Sequence, residues 1–201
     1  TTCSWRVQVR MSRCDGWHRL PSAGGNPDFI AACTGSPLAR GIRRFMRVLR
    51  IGNMNVSFTH PVRVYWEDTD AGGVVYHAQY LAFLERARTE WLRAHGYGQE
   101  LLRQRYDLVF AVRAMSIDFR LPARLDETLQ VGVALRECRR ASLVIAQTVE
   151  RHGVRLLDAE VRIAALRASD FKPQPIPDML YPQLKALQEV ASTSPTSSNA
   201  E

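Results

Sequence analysis

The chain has 201 residues, 46 % hydrophobic and 23 % charged, with a formal net charge of +7 at pH 7; this is enough for one domain with a real core, of ordinary globular composition. Nine Arg and only Asp15 and Asp28 fall in residues 1–55, whereas the rest of the chain holds 18 basic and 18 acidic side chains. A neutral folded part has no field to draw in nucleic acid, so that class of function is excluded for it.

Residues 1–55 read as a basic irregular leader without helical or strand periodicity over a useful length. The best apolar run there, "FIAAC" (29–33), is shorter than the roughly 7–15 residues of a signal-peptide core, so export is not expected. Arg-rich and acid-poor, the leader resembles a transit peptide in composition. The preferred reading is a wrongly extended start, because the first residue is Thr and Met54 stands just ahead of the first strand pattern. Either way the leader is expected to be dispensable. Three of the four Cys (3, 14, 33) lie in it with no zinc spacing, and Cys138 reads as a small core residue, so a reducing, cytoplasmic setting is expected. No run approaches the roughly 20 apolar residues that cross a bilayer.

Order begins near Ser57. "FTHPVRVYW" (58–66) predicts a strand rich in β-branched and aromatic residues. Residues 78–95 place Tyr80, Leu84, Ala87 and Trp91 at helical spacing, with Leu81 and Phe83 widening the stripe, and Gly96 stands where a helix ends. Four strands are predicted at 109–120, 128–138, 142–150 and 155–167, with His152-Gly153 as a tight turn between the last two. "KPQPIP" (172–177) ends the sheet, a short helix fits 178–189, and "STSPTSSNAE" reads as disordered. The domain therefore spans 56–172, followed by a C-terminal extension over 173–201. Strand, long helix and four antiparallel strands make a two-layer α+β domain. Its open edge and thinly covered face point to pairing with a second copy.

The chemistry concentrates in "WEDTDAGGVVYHAQY" (66–80). Gly72 and Gly73 permit a sharp bend and close approach of a ligand. Residues 74–78 lead into the helix, whose first N–H groups and positive dipole end favour an anion. Asp70 would present a carboxylate across the bend, and His77 would stand at the mouth. A carboxylate with backbone donors for an oxyanion is the minimum equipment for acyl-transfer hydrolysis. No serine elbow or cysteine–histidine signature competes for that role. Asp68 is expected only to stabilise the loop as an acceptor, and His60, His95 and His152 read as turn or helix-end residues. Glu85 borders the apolar stripe. Its preferred role is an ion pair with Arg88 or contact with Thr89, and the other is a secondary catalytic carboxylate. Arg88, on the apolar face, needs an ordered partner, for which a subunit interface is one place.

"EDTDAGGVVYHAQYLAFLERART" resembles the signature of the hotdog-fold acyl-CoA thioesterases, in the 4-hydroxybenzoyl-CoA thioesterase-like branch that includes the group associated with the bacterial Tol–Pal envelope system. The resemblance covers about residues 58–170 and implies a five-stranded antiparallel sheet wrapped around one long helix. It implies Asp70 as nucleophile or general base, His77 as the assisting histidine whose backbone N–H polarises the thioester carbonyl, and Gly73 and Tyr76 as shapers of the loop. It further implies an acyl-CoA substrate in a groove beside the helix at a dimer interface, a homodimer or tetramer, no metal or redox cofactor, and acyl carrier protein or envelope-system proteins as further partners. Gln79 departs from the family, which has Asn there. Three rivals remain at this point. Dehydration of acyl thioesters lacks its His-Phe-Pro-Gly turn here. A non-catalytic acyl-binding or envelope-interaction module would not need an intact Asp70 and His77. Nucleic-acid binding would rest on the leader alone.

Overall fold

The computed structural model describes residues 6–11 and 56–192. Five strands carry the alternation that sets the core: β2 (Phe58–Arg63), β3 (Leu108–Phe119), β4 (Thr128–Arg139), β5 (Ser142–Arg151) and β6 (Val154–Arg167). They pair antiparallel in the order β3-β6-β5-β4-β2. The register aligns Val131 with Val149, Ile145 with Val161 and Ile117 with Ala159, which puts every one of these residues on one buried face. A one-residue slip would turn that apolar set to the other face, so burial itself holds the register. His152 (φ 49°) and Gly153 (φ 77°) both take the left-handed conformation that a two-residue β5–β6 turn requires.

Helix α1 (Gln79–Ala94) lies on that face and buries Tyr80, Phe83, Leu84, Ala87 and Trp91 in the core. Its end is a Schellman motif: the Gly96 N–H donates to Arg93 O (2.8 Å) and the Tyr97 N–H to Leu92 O (3.0 Å), with Gly96 at φ 84°. His95 caps the helix with its ring nitrogen Nδ1 2.7 Å from Trp91 O. Cys138 is a buried core residue of β4, as its strand pattern predicts.

The structure departs from the predicted elements in four places. Arg6–Met11 forms a strand, β1, paired in parallel with Ala114–Phe119 of β3, so the leader is not irregular throughout. The sheet gains a sixth strand, and Val7, Val9 and Met11 do alternate with Arg6, Gln8 and Arg10, a period too short to stand out among scattered Gly and Arg. The strand predicted for 58–66 stops at Arg63, and Trp66–Asp68 forms a single 3-10 turn instead. That also leaves His60 within β2 rather than at a turn. Residues Gln99–Tyr106 form a helix, α2, a charged eight-residue segment that fully buries Leu102 and packs Tyr106 partly against the core. The last helix, α3 (Tyr181–Ser192), begins later than predicted and buries Leu184 against the sheet beside Ile176 and Leu180. The rest of the leader and the tail beyond Ser192 lie outside the described residues, and with them the readings of a dispensable start and a disordered end.

Candidate active site

The loop between β2 and α1 is a closed hairpin rather than a slack connection. At its base the buried Asp68 carboxylate accepts the Tyr65 N–H (2.8 Å), and the Asp68 carbonyl accepts the Tyr76 N–H (2.8 Å). Thr69 bridges Val75, and the Asp70 N–H donates to Val74 O (3.0 Å). The tip turns over four residues, with the Gly73 N–H donating to Asp70 O (2.9 Å). Asp68 is thus the loop-stabilising acceptor that its place in the sequence suggests.

Asp70 stands at the tip. Its Oδ1 accepts the Gly72 N–H at 2.8 Å, an Asx turn that fixes the carboxylate while leaving it exposed. The two glycines serve different needs. At Gly72 a Cβ would sit 3.0 Å from Asp70 Oδ1 and push the carboxylate aside. At Gly73 a Cβ would meet nothing within 4 Å, but the backbone has φ +69°, a conformation that costs an L-residue roughly 1–2 kcal/mol. Gly73→Ala is therefore expected to lower unfolding free energy by about 1 kcal/mol through the backbone alone; urea denaturation checks this, and an unchanged midpoint would show that the turn relaxes.

The hairpin is fastened to the β3–β4 connection. The Val75 N–H donates to Ala123 O (2.8 Å), Val74 bridges Arg124, and the Ala123 N–H donates to the buried Tyr80 hydroxyl (2.9 Å). Burial pushes the Tyr80 phenol above its ordinary pKa against the opposing Ala123 N–H, so the hydroxyl stays neutral. Past Val75 the Tyr76 and His77 rings lie 4.3 Å apart, both exposed. The helix starts at Gln79, so His77 immediately precedes the N-cap, Ala78, rather than lying in the first turn. The hydrogen bonds of the described residues include none donated by the His77 or Ala78 N–H. Those groups stand at the positive end of a 16-residue helix, where an oxyanion is favoured. Gln79 Nε2 donates to Glu67 O (3.2 Å) and ties the helix start to the 3-10 turn.

Asp70 and Gly73 line one open depression with Trp66, Thr69, Ala71 and Leu125. Tyr76 and His77 are not among its lining residues, and among the described residues no hydrogen bond or ion pair joins Asp70 to His77. Glu85 stands elsewhere. It lines a second depression on α1 with Arg88, Trp91 and Phe110, and it pairs with Arg88. Arg88 needs no subunit interface for its partner: Nη1 donates to Gln147 Oε1 (2.6 Å) within the same chain. Burial pushes its guanidinium below the usual value, with the Glu85 carboxylate opposing. Among the described residues no group of His, Cys, Asp and Glu is arranged to hold a metal ion, and no helix is long and apolar enough to cross a membrane.

Asp70 is thus fixed on a glycine turn in the loop that leads into helix α1 at Gln79. The model of the thioesterase-like superfamily matches residues 64–184, more than half of the chain. The chain belongs to the thioesterase-like superfamily. Acyl-CoA thioesterase YbgC of Haemophilus influenzae is 43 % identical over 120 residues, 60 % of this chain and 88 % of that protein. Acyl-CoA thioester hydrolase YbgC of Escherichia coli O157:H7 is 43 % identical over 129 residues, 64 % of this chain and 96 % of that one. Among solved structures, a probable thioesterase from Bartonella henselae is 36 % identical with a TM-score of 0.58, over 60 % of this chain and 98 % of its own. The expected hotdog thioesterase fold is borne out. In this superfamily member three participants escaped the sequence: Trp66, placed at a strand end rather than on the depression; Gln147, buried under Arg88; and the Tyr80–Ala123 fastening. Gln147 left a signal, a lone amide inside the apolar run "LVIAQTV" (143–149).

Proposed function

We propose that the chain hydrolyses acyl-CoA thioesters to a free acid and CoA, with Asp70 as nucleophile or general base. The observation that carries this reading is the Asp70 carboxylate, held by the Gly72 N–H on a pinned hairpin and open to the depression it lines. As a base it takes a proton from a water that attacks the thioester carbon. As a nucleophile it bonds to that carbon itself, and water then cleaves the resulting anhydride. In both routes the carbonyl oxygen gains negative charge before CoA thiolate leaves, and in this reading the backbone N–H of His77, ahead of the helix, polarises that carbonyl. Gly73 and Tyr76 hold the turn and the approach to the helix. Glu85, on the other depression and paired with Arg88, has no step in this scheme.

Asp70, Tyr76 and His77 are all exposed in the single chain. That supports a homodimer or tetramer in which a second copy walls the site. A cytoplasmic location, and acyl carrier protein or envelope-system proteins as partners, belong to the same proposal. A panel of acyl-CoA thioesters with detection of the released thiol tests it. Release that depends on the enzyme and varies with the acyl group is expected. A protein that binds acyl-CoA and releases no thiol from any member would be an acyl-binding module instead.

A further inference from the structure

The six residues of β1 (Arg6–Met11) lie in parallel along Ala114–Phe119 of β3. Without them β3 would be an edge of the sheet, since its other neighbour is β6. The two segments are matched in kind. The register sets Val7, Val9 and Met11 beside Met115, Ile117 and Phe119, and Arg10 beside Asp118. Strand β3 has 12 residues, so over 108–113 it meets no described strand on that side. This stretch carries Phe110 and Val112, which line the depression on α1 together with Trp91. Trp91 is buried, and its indole Nε1 has no hydrogen-bond partner among the described residues. An acceptor from outside the chain would satisfy it.

A strand edge of this length is a template for another strand. Two copies of the chain meeting across a two-fold axis would set their β3 edges antiparallel, a pairing stronger per residue than a parallel one. Strand β1 blocks that meeting over 114–119 with a short parallel pairing. It is the weaker occupant, and it holds the edge because it belongs to the same chain. We propose that β1 is an internal plug on the β3 edge, which competes with a second copy of the chain and so limits assembly through that edge. This rests on the reading above in which a second copy walls the site. Displacing β1 frees the backbone groups of the whole of β3. Assembly then rises with protein concentration, because the local concentration of the plug is fixed and that of the second copy is not.

Sedimentation velocity of the full chain over a concentration series tests this. No substrate is present, so a protein that releases thiol from no ester would fail the hydrolase reading and leave this test standing. Neighbouring N–H groups of a strand point to opposite sides, so Gln8→Pro with Val9→Pro removes one donor from the β3 side whichever residue supplies it. That double variant should associate about tenfold more tightly than wild type, as for an edge that β1 leaves open about a tenth of the time. The opposite variant, Gln8→Cys with Ser116→Cys, joins two register partners. Once oxidised, with the crosslink between positions 8 and 116 identified by peptide mapping, it should associate at least about tenfold more weakly. Reduction should return the wild-type value. Unchanged association in the proline variant would overturn the proposal, and weaker association would do so by making β1 part of the interface. So would a crosslinked protein that assembles like wild type, a crosslink that does not form, or open-ended aggregates of the proline variant in place of a dimer or tetramer. Should the proline variant fail to fold, as a thermal melt shows, the crosslinked one decides alone.

Discussion

Asp70→Asn is expected to lower turnover of an acyl-CoA thioester by about 10²–10⁴-fold, the usual cost of losing a positioned general base, and by more if Asp70 is the nucleophile. The geometry makes this an unusually clean substitution. The Asn side-chain oxygen can still accept the Gly72 N–H that Asp70 Oδ1 accepts at 2.8 Å, so the turn and the melting temperature should be preserved while basicity is lost. The fall should appear in kcat more than in KM, because in the proposed reaction the carboxylate acts on the reacting carbon rather than on the rest of the substrate. His77→Ala should be milder, since the backbone N–H at position 77 survives. Glu85→Gln should stay within a few fold, because that carboxylate is half exposed, pairs with Arg88 and lines a different depression. The ranking under saturating substrate decides the matter. Near-normal turnover in Asp70→Asn with abolished turnover in Glu85→Gln would move the catalytic carboxylate onto the helix.

Gln147→Leu is expected to cost about 3 kcal/mol of unfolding free energy and roughly 10 °C in melting temperature. Gln147 is fully buried and links two elements: its Oε1 accepts Arg88 Nη1 at 2.6 Å and its Nε2 donates to Leu84 O at 2.9 Å. Leucine fills the volume but leaves a guanidinium donor facing hydrocarbon. Burial already presses on that charge, and only the half-exposed Glu85 would still answer it. Because the penalty belongs to the stranded cation, Arg88→Met added to Gln147→Leu should restore part of the loss. Arg88→Met alone completes the cycle: a double variant whose loss equals the sum of the two single losses, by thermal and urea melts, would show that the two side chains are not energetically coupled.

The elements carrying a long apolar period were legible in the sequence. Helix α1 was drawn within one residue at each end, because Tyr80, Leu84, Ala87 and Trp91 repeat over several turns and Gly96 closes the helix. The last four strands of the sheet were equally clear, three from alternation and the one at 142–150 from its apolar run "LVIA" (143–146). What escaped depends on few residues or on distant partners. Helix α2 buries one leucine fully, so no period was there to read. Strand β1 owes its place to pairing with a segment more than a hundred residues away. At the site, Asp70 and the glycine turn could be read because chemistry and conformation coincide in a few consecutive positions. The exposure of Trp66 and the partner of Arg88 could not, because both are settled by what the fold brings alongside.

The hairpin that carries Asp70 is bonded at its base through Asp68, at its return arm to Ala123 and Arg124, and onward through Ala123 to Tyr80 of the helix. A loop fastened at three points has no hinge about which to swing. It must ride with the sheet and helix as one piece, and opening it would mean breaking several hydrogen bonds at once. Substrate then meets a cleft already set, with the entropy of placing the carboxylate paid during folding rather than at each encounter. In the proposed reaction no loop closure need precede the chemistry, so solvent viscosity should act on substrate capture and product escape and leave the chemical step untouched.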